Sequence, residues 1–63
     1  MTKTNVRVKL IGEDGNAFSI IGRVSKALRR GGYADLVKPY VDDATRGDYD
    51  HVLQTTMKYV AID

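Results

Sequence analysis

A stretch in the first half of the chain has the periodicity of an amphipathic helix. Between Ala17 and Arg30 the apolar residues recur every three or four positions, as a helix with one buried face requires. These apolar residues are Ala17, Ile20, Ile21, Val24, Ala27 and Leu28. Gly31 and Gly32 follow, and a glycine just past the last turn adopts the left-handed conformation that ends many helices without steric cost. The pattern therefore predicts a helix over residues 17–30.

The segment before this helix alternates as a β-strand does. Val6, Val8 and Leu10 are separated by polar residues, which predicts a strand with one face on the core and one in water. Residues 12–16 then hold two glycines and polar side chains that favour a turn. Asn16 is placed to cap the N-terminus of the helix.

Two further helices and a short strand are predicted in the second half. Residues 34–45 have helical spacing, but Pro39 lacks a backbone N–H, so this helix either starts near Lys38 or kinks there; we expect an irregular first turn. Asp48 is placed as the N-cap of a third helix. Its apolar positions are Tyr49, Val52, Leu53, Thr56, Met57 and, at its end, Val60. Residues 58–63 alternate weakly, which favours a short strand beside the first one.

The resulting order, β-α-α-α-β, predicts an α+β fold in which three helices cover a short two-stranded sheet, as a single domain over residues 1–63. A chain of 63 residues buries only about 60% of its unfolded surface. It contains no cysteine, which excludes disulfides and thiolate metal sites, so packing or a partner chain must stabilise it. Because a two-stranded sheet has open edges, a homodimer through strand edges or helix faces is a hypothesis.

The hydropathy of the chain bears on its location. Residues 1–5 lack the apolar core of a signal peptide, and no run of 18 apolar residues occurs. The sequence therefore predicts a soluble cytoplasmic protein with no membrane partner.

Charge is divided unevenly along the chain and concentrates on the first predicted helix. Residues 1–32 carry a net charge of +5 and residues 33–63 a net charge of −3. Arg23, Lys26 and Arg30 recur at intervals of three and four on the side of the helix away from its apolar face. The full set of candidate binding residues adds a neighbouring arginine and two strand positions: Arg7, Lys9, Arg23, Lys26, Arg29 and Arg30.

A row of cations of this kind binds acidic protein surfaces or phosphates, although an ordinary solvated helix face has a similar composition. We interpret the chain as a non-enzymatic binding or regulatory protein that contacts a protein partner through this face. Binding of nucleic acid or of nucleotide phosphates by the same face is the alternative.

A second candidate site combines acidic residues with the single histidine of the chain. Its members are Asp14, Asn16, Asp48, Asp50 and His51. On a helix, Asp48, Asp50 and His51 point in different directions, so capping and the helix dipole explain them better than a shared metal ion. A polar cluster with a metal- or ligand-dependent activity forms only if the two loops meet. With one histidine and no serine or cysteine in a nucleophile context, we predict no enzymatic activity, metal or cofactor.

The aromatic residues are a third candidate. Phe18, Tyr33, Tyr40, Tyr49 and Tyr59 could stack on nucleic-acid bases, but they do not alternate with basic residues as in known RNA-binding strands. We expect most of them to pack inside the protein.

Two segments of the chain carry a resemblance. Residues 12–18, which contain Asp-Gly-Asn-Ala-Phe, and residues 44–53, which contain Gly-Asp-Tyr-Asp-His, resemble a group of small uncharacterised bacterial and phage proteins. The resemblance extends over nearly the whole chain. It implies a miniature α+β domain and a phage or mobile-element setting, and it assigns no functional residue.

Overall fold

The computed structural model describes residues 3–9 and 17–62 and has the predicted α+β architecture with the order β-α-α-α-β. The elements are β1 (Arg7–Val8), α1 (Ala17–Arg30), α2 (Val37–Ala44), α3 (Tyr49–Tyr59) and β2 (Ala61–Ile62). The two strands form a parallel sheet, in which Arg7 pairs with Ala61 and Val8 with Ile62. Leu10, the predicted turn at 12–16 and the predicted cap Asn16 lie outside the described residues.

Helix α1 covers the predicted residues and ends at the predicted glycines. The N–H of Tyr33 donates to the carbonyl of Leu28 at 2.8 Å, and the N–H of Gly32 donates to that of Arg29 at 3.2 Å. This pair of hydrogen bonds is the Schellman pattern, which needs a left-handed residue at its centre. Gly32 supplies that residue with a φ of 90°.

The second helix has the expected irregular start. A 3-10 turn at Ala34–Leu36 leads directly into α2. Pro39 is therefore the third residue of α2, where a backbone N–H has no partner within the helix and its absence costs little.

The third helix starts at its predicted cap and ends in the predicted strand. The Asp48 carboxylate accepts a hydrogen bond from the backbone N–H of His51 at 3.0 Å, as an N-cap does. Beyond Tyr59 the chain becomes extended at Val60 and enters β2, which confirms the strand expected near the end of the sequence.

The core lies between the sheet and the three helices. Its buried apolar side chains are Val8, Ile20, Ile21, Val24, Leu28, Tyr40, Ala44, Val52, Tyr59 and Val60. Tyr40 lies at the centre with none of its surface exposed, and its ring meets that of Tyr59 edge-on at 5.3 Å. The Tyr40 hydroxyl is 2.7 Å from the hydroxyl of Thr56. Burial raises the pKa of the Tyr40 phenol, and this hydrogen bond opposes the rise without cancelling it.

Two residues predicted on the apolar side of α3 are exposed. Tyr49 is 41% exposed and Met57 is 52% exposed, whereas Thr55 is buried. Met57 is five residues from Val52 and so lies about 140° away from it around the helix. The buried face of α3 is narrower than its apolar composition suggested.

The N-terminal segment is held against the end of α3. The N–H of Lys3 donates to the carbonyl of Lys58 at 2.9 Å, and the buried hydroxyl of Thr4 donates to the carbonyl of Tyr59 at 2.7 Å. The N–H of Ala61 then donates to the carbonyl of Val6 at 2.9 Å. These bonds fix β1 beside β2 and place its other side near α1.

Within the described parts of the chain, no helix is both long enough and apolar enough to cross a bilayer.

Candidate functional site: a basic groove and an apolar cleft

A groove of about 760 Å³ runs between β1 and the outer side of α1. Five cationic residues line it, and none of its described lining residues is acidic. These five are Arg7, Lys9, Arg23, Lys26 and Arg30. We call this feature the basic groove. It brings together residues that are up to 23 positions apart in the sequence, from β1, the position after it and α1.

The local geometry of the two elements explains this arrangement. Residues four apart on a helix lie in one row, so Gly22, Lys26 and Arg30 follow one another along α1. Arg7 and Lys9 are two positions apart, so they project from the same side of the extended segment. The polar sides of the two elements meet at the groove, and Val6, Val8 and Ala27 contribute to its lining beside them.

Small residues of α1 form part of the lining of the basic groove. A side chain added at Gly22 would meet no atom within 4 Å, so the helix backbone is open to the groove at this point. Ser19 and Ala27 also line this region. The basic groove therefore combines long cationic side chains with an open stretch of helix backbone.

Arg23 connects the two walls of the groove. Its guanidinium donates to the backbone carbonyl of Lys9 at 3.4 Å. Arg29, by contrast, is exposed in the last turn of α1 and does not line the groove. Of the six predicted binding residues, five are thus brought to one surface and one is not.

The predicted polar cluster does not converge in the described part of the structure. Asp48 caps α3, and Asp50 accepts a hydrogen bond from the side chain of Gln54 at 2.8 Å. His51 Nε2 is 2.8 Å from the carbonyl oxygen of Asp43, which links α3 to the end of α2. Asp14 and Asn16, the other predicted members, lie outside the described residues.

No group of three or more potential ligands among His, Asp and Glu occurs within residues 3–9 and 17–62. For the Asp43 carbonyl to accept a hydrogen bond, His51 Nε2 must carry the proton, so that nitrogen is occupied in a structural contact.

A smaller apolar cleft of about 240 Å³ lies between the start of α1 and the turn that joins α2 to α3. Ile21 and Val52 form its base, and Ala17, Phe18 and Tyr49 stand around it. Phe18 is 80% exposed and lines both this apolar cleft and the basic groove. The two surfaces are therefore continuous across one aromatic ring.

The sequence alone did not indicate the apolar cleft, because most aromatic residues were expected to pack inside the protein. Tyr40 and Tyr59 are buried and Tyr33 is half-buried against the core, so most of the five do pack inside, whereas Phe18 and Tyr49 are exposed. A signal for Phe18 was present, since it is two residues before Ile20 and so lies about 200° away from it around α1.

Comparison with protein-family models, with curated proteins and with solved structures finds no match.

Proposed function

We propose that this protein is a non-enzymatic binding module that holds an acidic segment of a protein partner in the basic groove. The observation that carries the proposal is the meeting of five cations, from β1, the residue after it and α1, around one groove. Like charges gathered in a concave surface raise the local concentration of an oppositely charged partner.

The shape of the groove supports an extended partner. From Phe18 to Arg30 the helix rises by about 18 Å, which is the length of roughly five or six residues of extended chain. Lys26 and Arg30 are about 6 Å apart along the helix axis, and alternate residues of an extended peptide have nearly the same spacing. Carboxylates at every second position of the partner would therefore face successive cations of α1.

Binding of single-stranded nucleic acid is the second candidate, and the exposure of Phe18 beside the cations favours it. One aromatic ring stacks on one base, which contributes about 1–3 kcal/mol, and the cations would contact phosphates. We rank this candidate second because Phe18 is the single aromatic residue among the described lining of the basic groove, whereas single-strand binding sites stack successive bases on several aromatic side chains.

The chain itself carries an acidic segment that a second copy could place in the basic groove. The turn between α2 and α3 is flanked by Asp42, Asp43, Asp48 and Asp50, which are opposite in charge to the groove. Sedimentation tests this directly: self-binding predicts a mass that rises with concentration and falls with salt, and a constant mass of one chain excludes it.

The proposal is tested with two double variants that change the net charge equally. Lys26→Glu with Arg30→Glu alters the basic groove, whereas Arg29→Glu with Arg46→Glu alters exposed positions outside it; both change the net charge from +2 to −2. Binding of a labelled hexaglutamate peptide is measured by fluorescence anisotropy at low and high salt. Circular dichroism confirms that each variant is folded.

We expect the groove variant to bind hexaglutamate at least about tenfold more weakly, since each exposed ion pair contributes about 0.2–1 kcal/mol and the reversed charges add repulsion. The control variant should lose less than half as much binding free energy as the groove variant. Equal losses in both variants would mean that net charge, not the groove, governs binding, and would refute the proposal. Tighter binding of a single-stranded oligonucleotide than of the peptide, with sensitivity to Phe18→Ala, would establish the second candidate instead.

A further inference from the structure

The apolar cleft adjoins the basic groove, and its chemistry differs from that of the groove. Its volume of about 240 Å³ lies below the range of roughly 300–1,000 Å³ that is usual for small-molecule sites, so it suits a single side chain. Its base is apolar, and its exposed rim includes the rings of Phe18 and Tyr49. An exposed aromatic pair over an apolar base is typical of positions that anchor a partner side chain.

We propose that the apolar cleft binds one large apolar side chain, of leucine or phenylalanine size, from the same acidic segment that occupies the basic groove. The inference rests on the proposed function, and it defines the recognised motif as an apolar residue next to a run of acidic ones.

The continuity of the two surfaces across Phe18 supports a common occupant. Phe18 lines both, so a chain lying along α1 passes from the cations to the apolar cleft without leaving the protein surface. The distances along α1 set the register. Lys26 and Arg30 lie about 12 Å and 18 Å beyond Phe18, which corresponds to roughly four and six residues of extended chain.

The charge at the rim of the apolar cleft supports an uncharged occupant. Asp48 lines the cleft, and its carboxylate remains beside it because it caps α3. An acidic side chain at this position of the partner would be repelled, whereas an apolar one would be accepted. The two neighbouring surfaces therefore select different side chains from one segment.

The test compares peptides that differ at one residue. Hexaglutamate carrying leucine at its first or its last position is compared with the same peptides carrying serine, so that both chain directions are covered. We expect the better leucine peptide to bind about tenfold more tightly than its serine counterpart, as the partial burial of one leucine side chain predicts.

Two variants test whether the preference for leucine depends on the apolar cleft. Tyr49→Ala removes one wall of the apolar cleft without touching the basic groove, and Met57→Ala removes an exposed apolar side chain that lines neither surface. Tyr49→Ala should reduce the ratio of the affinities for the leucine and serine peptides to less than about threefold and leave the affinity for the serine peptide unchanged. Met57→Ala should leave both quantities unchanged.

The outcomes separate this inference from the proposed function. If the serine peptides bind and leucine adds nothing in either position, or if Tyr49→Ala and Met57→Ala act alike, the apolar cleft is not an anchor site and the inference is overturned. If no acidic peptide binds, the proposed function fails and the inference fails with it. A single-stranded oligonucleotide that binds more tightly than every peptide assigns the surface to nucleic acid and overturns the inference as well.

Discussion

The buried pair formed by Tyr40 and Thr56 gives a stability prediction that does not depend on function. The Thr56 hydroxyl donates to the carbonyl of Val52 at 2.7 Å, so it must accept the hydrogen bond from the Tyr40 hydroxyl, also at 2.7 Å. Neither side chain has measurable exposure, so water cannot replace a lost partner. The cost of removing one hydroxyl therefore depends on which of the two is removed.

Tyr40→Phe removes the donor and leaves the Thr56 hydroxyl bonded to Val52, so we expect a loss of about 1 kcal/mol in the free energy of unfolding. Thr56→Val removes the acceptor and leaves the Tyr40 hydroxyl buried without a partner, which should cost about 2 kcal/mol. The double variant has neither polar group and should lie within about 1 kcal/mol of the original protein.

Urea unfolding followed by circular dichroism measures these differences. For a domain of this size the unfolding free energy falls by about 1 kcal/mol per molar urea, so the midpoint should fall by roughly 1 M for Tyr40→Phe and 2 M for Thr56→Val. Tyr33→Phe is the control, because its hydroxyl makes an exposed contact of 3.3 Å with Asn5 and should contribute little. A Thr56→Val variant that costs no more than Tyr40→Phe, or a double variant that costs the sum of the two, would contradict the assigned donor and acceptor.

Two more stability measurements follow from the same description. Gly22→Ala should raise the unfolding free energy by about 0.5–1 kcal/mol, because its site in α1 is open. Gly32→Ala should lower the unfolding free energy by about 1–2 kcal/mol, because φ is 90° there. Urea midpoints of the two variants that move in the same direction would contradict both assignments. Burial raises the pKa of Tyr40 in the folded state, so its contribution to stability should be complete below about pH 10, the unfolded pKa, and disappear as pH rises through the folded pKa. The alkaline loss of stability should therefore be smaller in Tyr40→Phe, and an identical loss in both proteins would contradict the pKa shift.

The element boundaries could be predicted from the sequence because they depend on local chemistry. The glycines after α1, the capping carboxylate of Asp48 and the position of Pro39 each act within one turn of helix, so neighbouring residues are sufficient to place them. The alternation near Val8 was also sufficient to assign a strand, although the paired segment is only Arg7–Val8.

The site was less predictable because it depends on how elements meet. The sequence placed Arg23, Lys26 and Arg30 on one helix face, but only the docking of β1 beside α1 turns that face into a groove. The contact between His51 and the Asp43 carbonyl joins two helices, and no periodicity within either helix indicates it. Arg29 was included because it is adjacent in sequence, while helical rotation carries it about 100° away from Arg30.

The pairing of β1 with β2 also determines when the binding surface can exist. The strand wall of the basic groove is held by hydrogen bonds that join residues 55 positions apart, such as that from Thr4 to Tyr59. During synthesis, α1 and its cations emerge early, but the wall opposite them has nothing to pair with until residues 61–62 have been made. Pairing across such a long sequence separation is slow, because closing the loop between the two segments costs entropy before any contact is gained. A nascent or C-terminally shortened chain would thus display the charges without the groove, and a partner that requires both walls would distinguish the finished fold from its precursors.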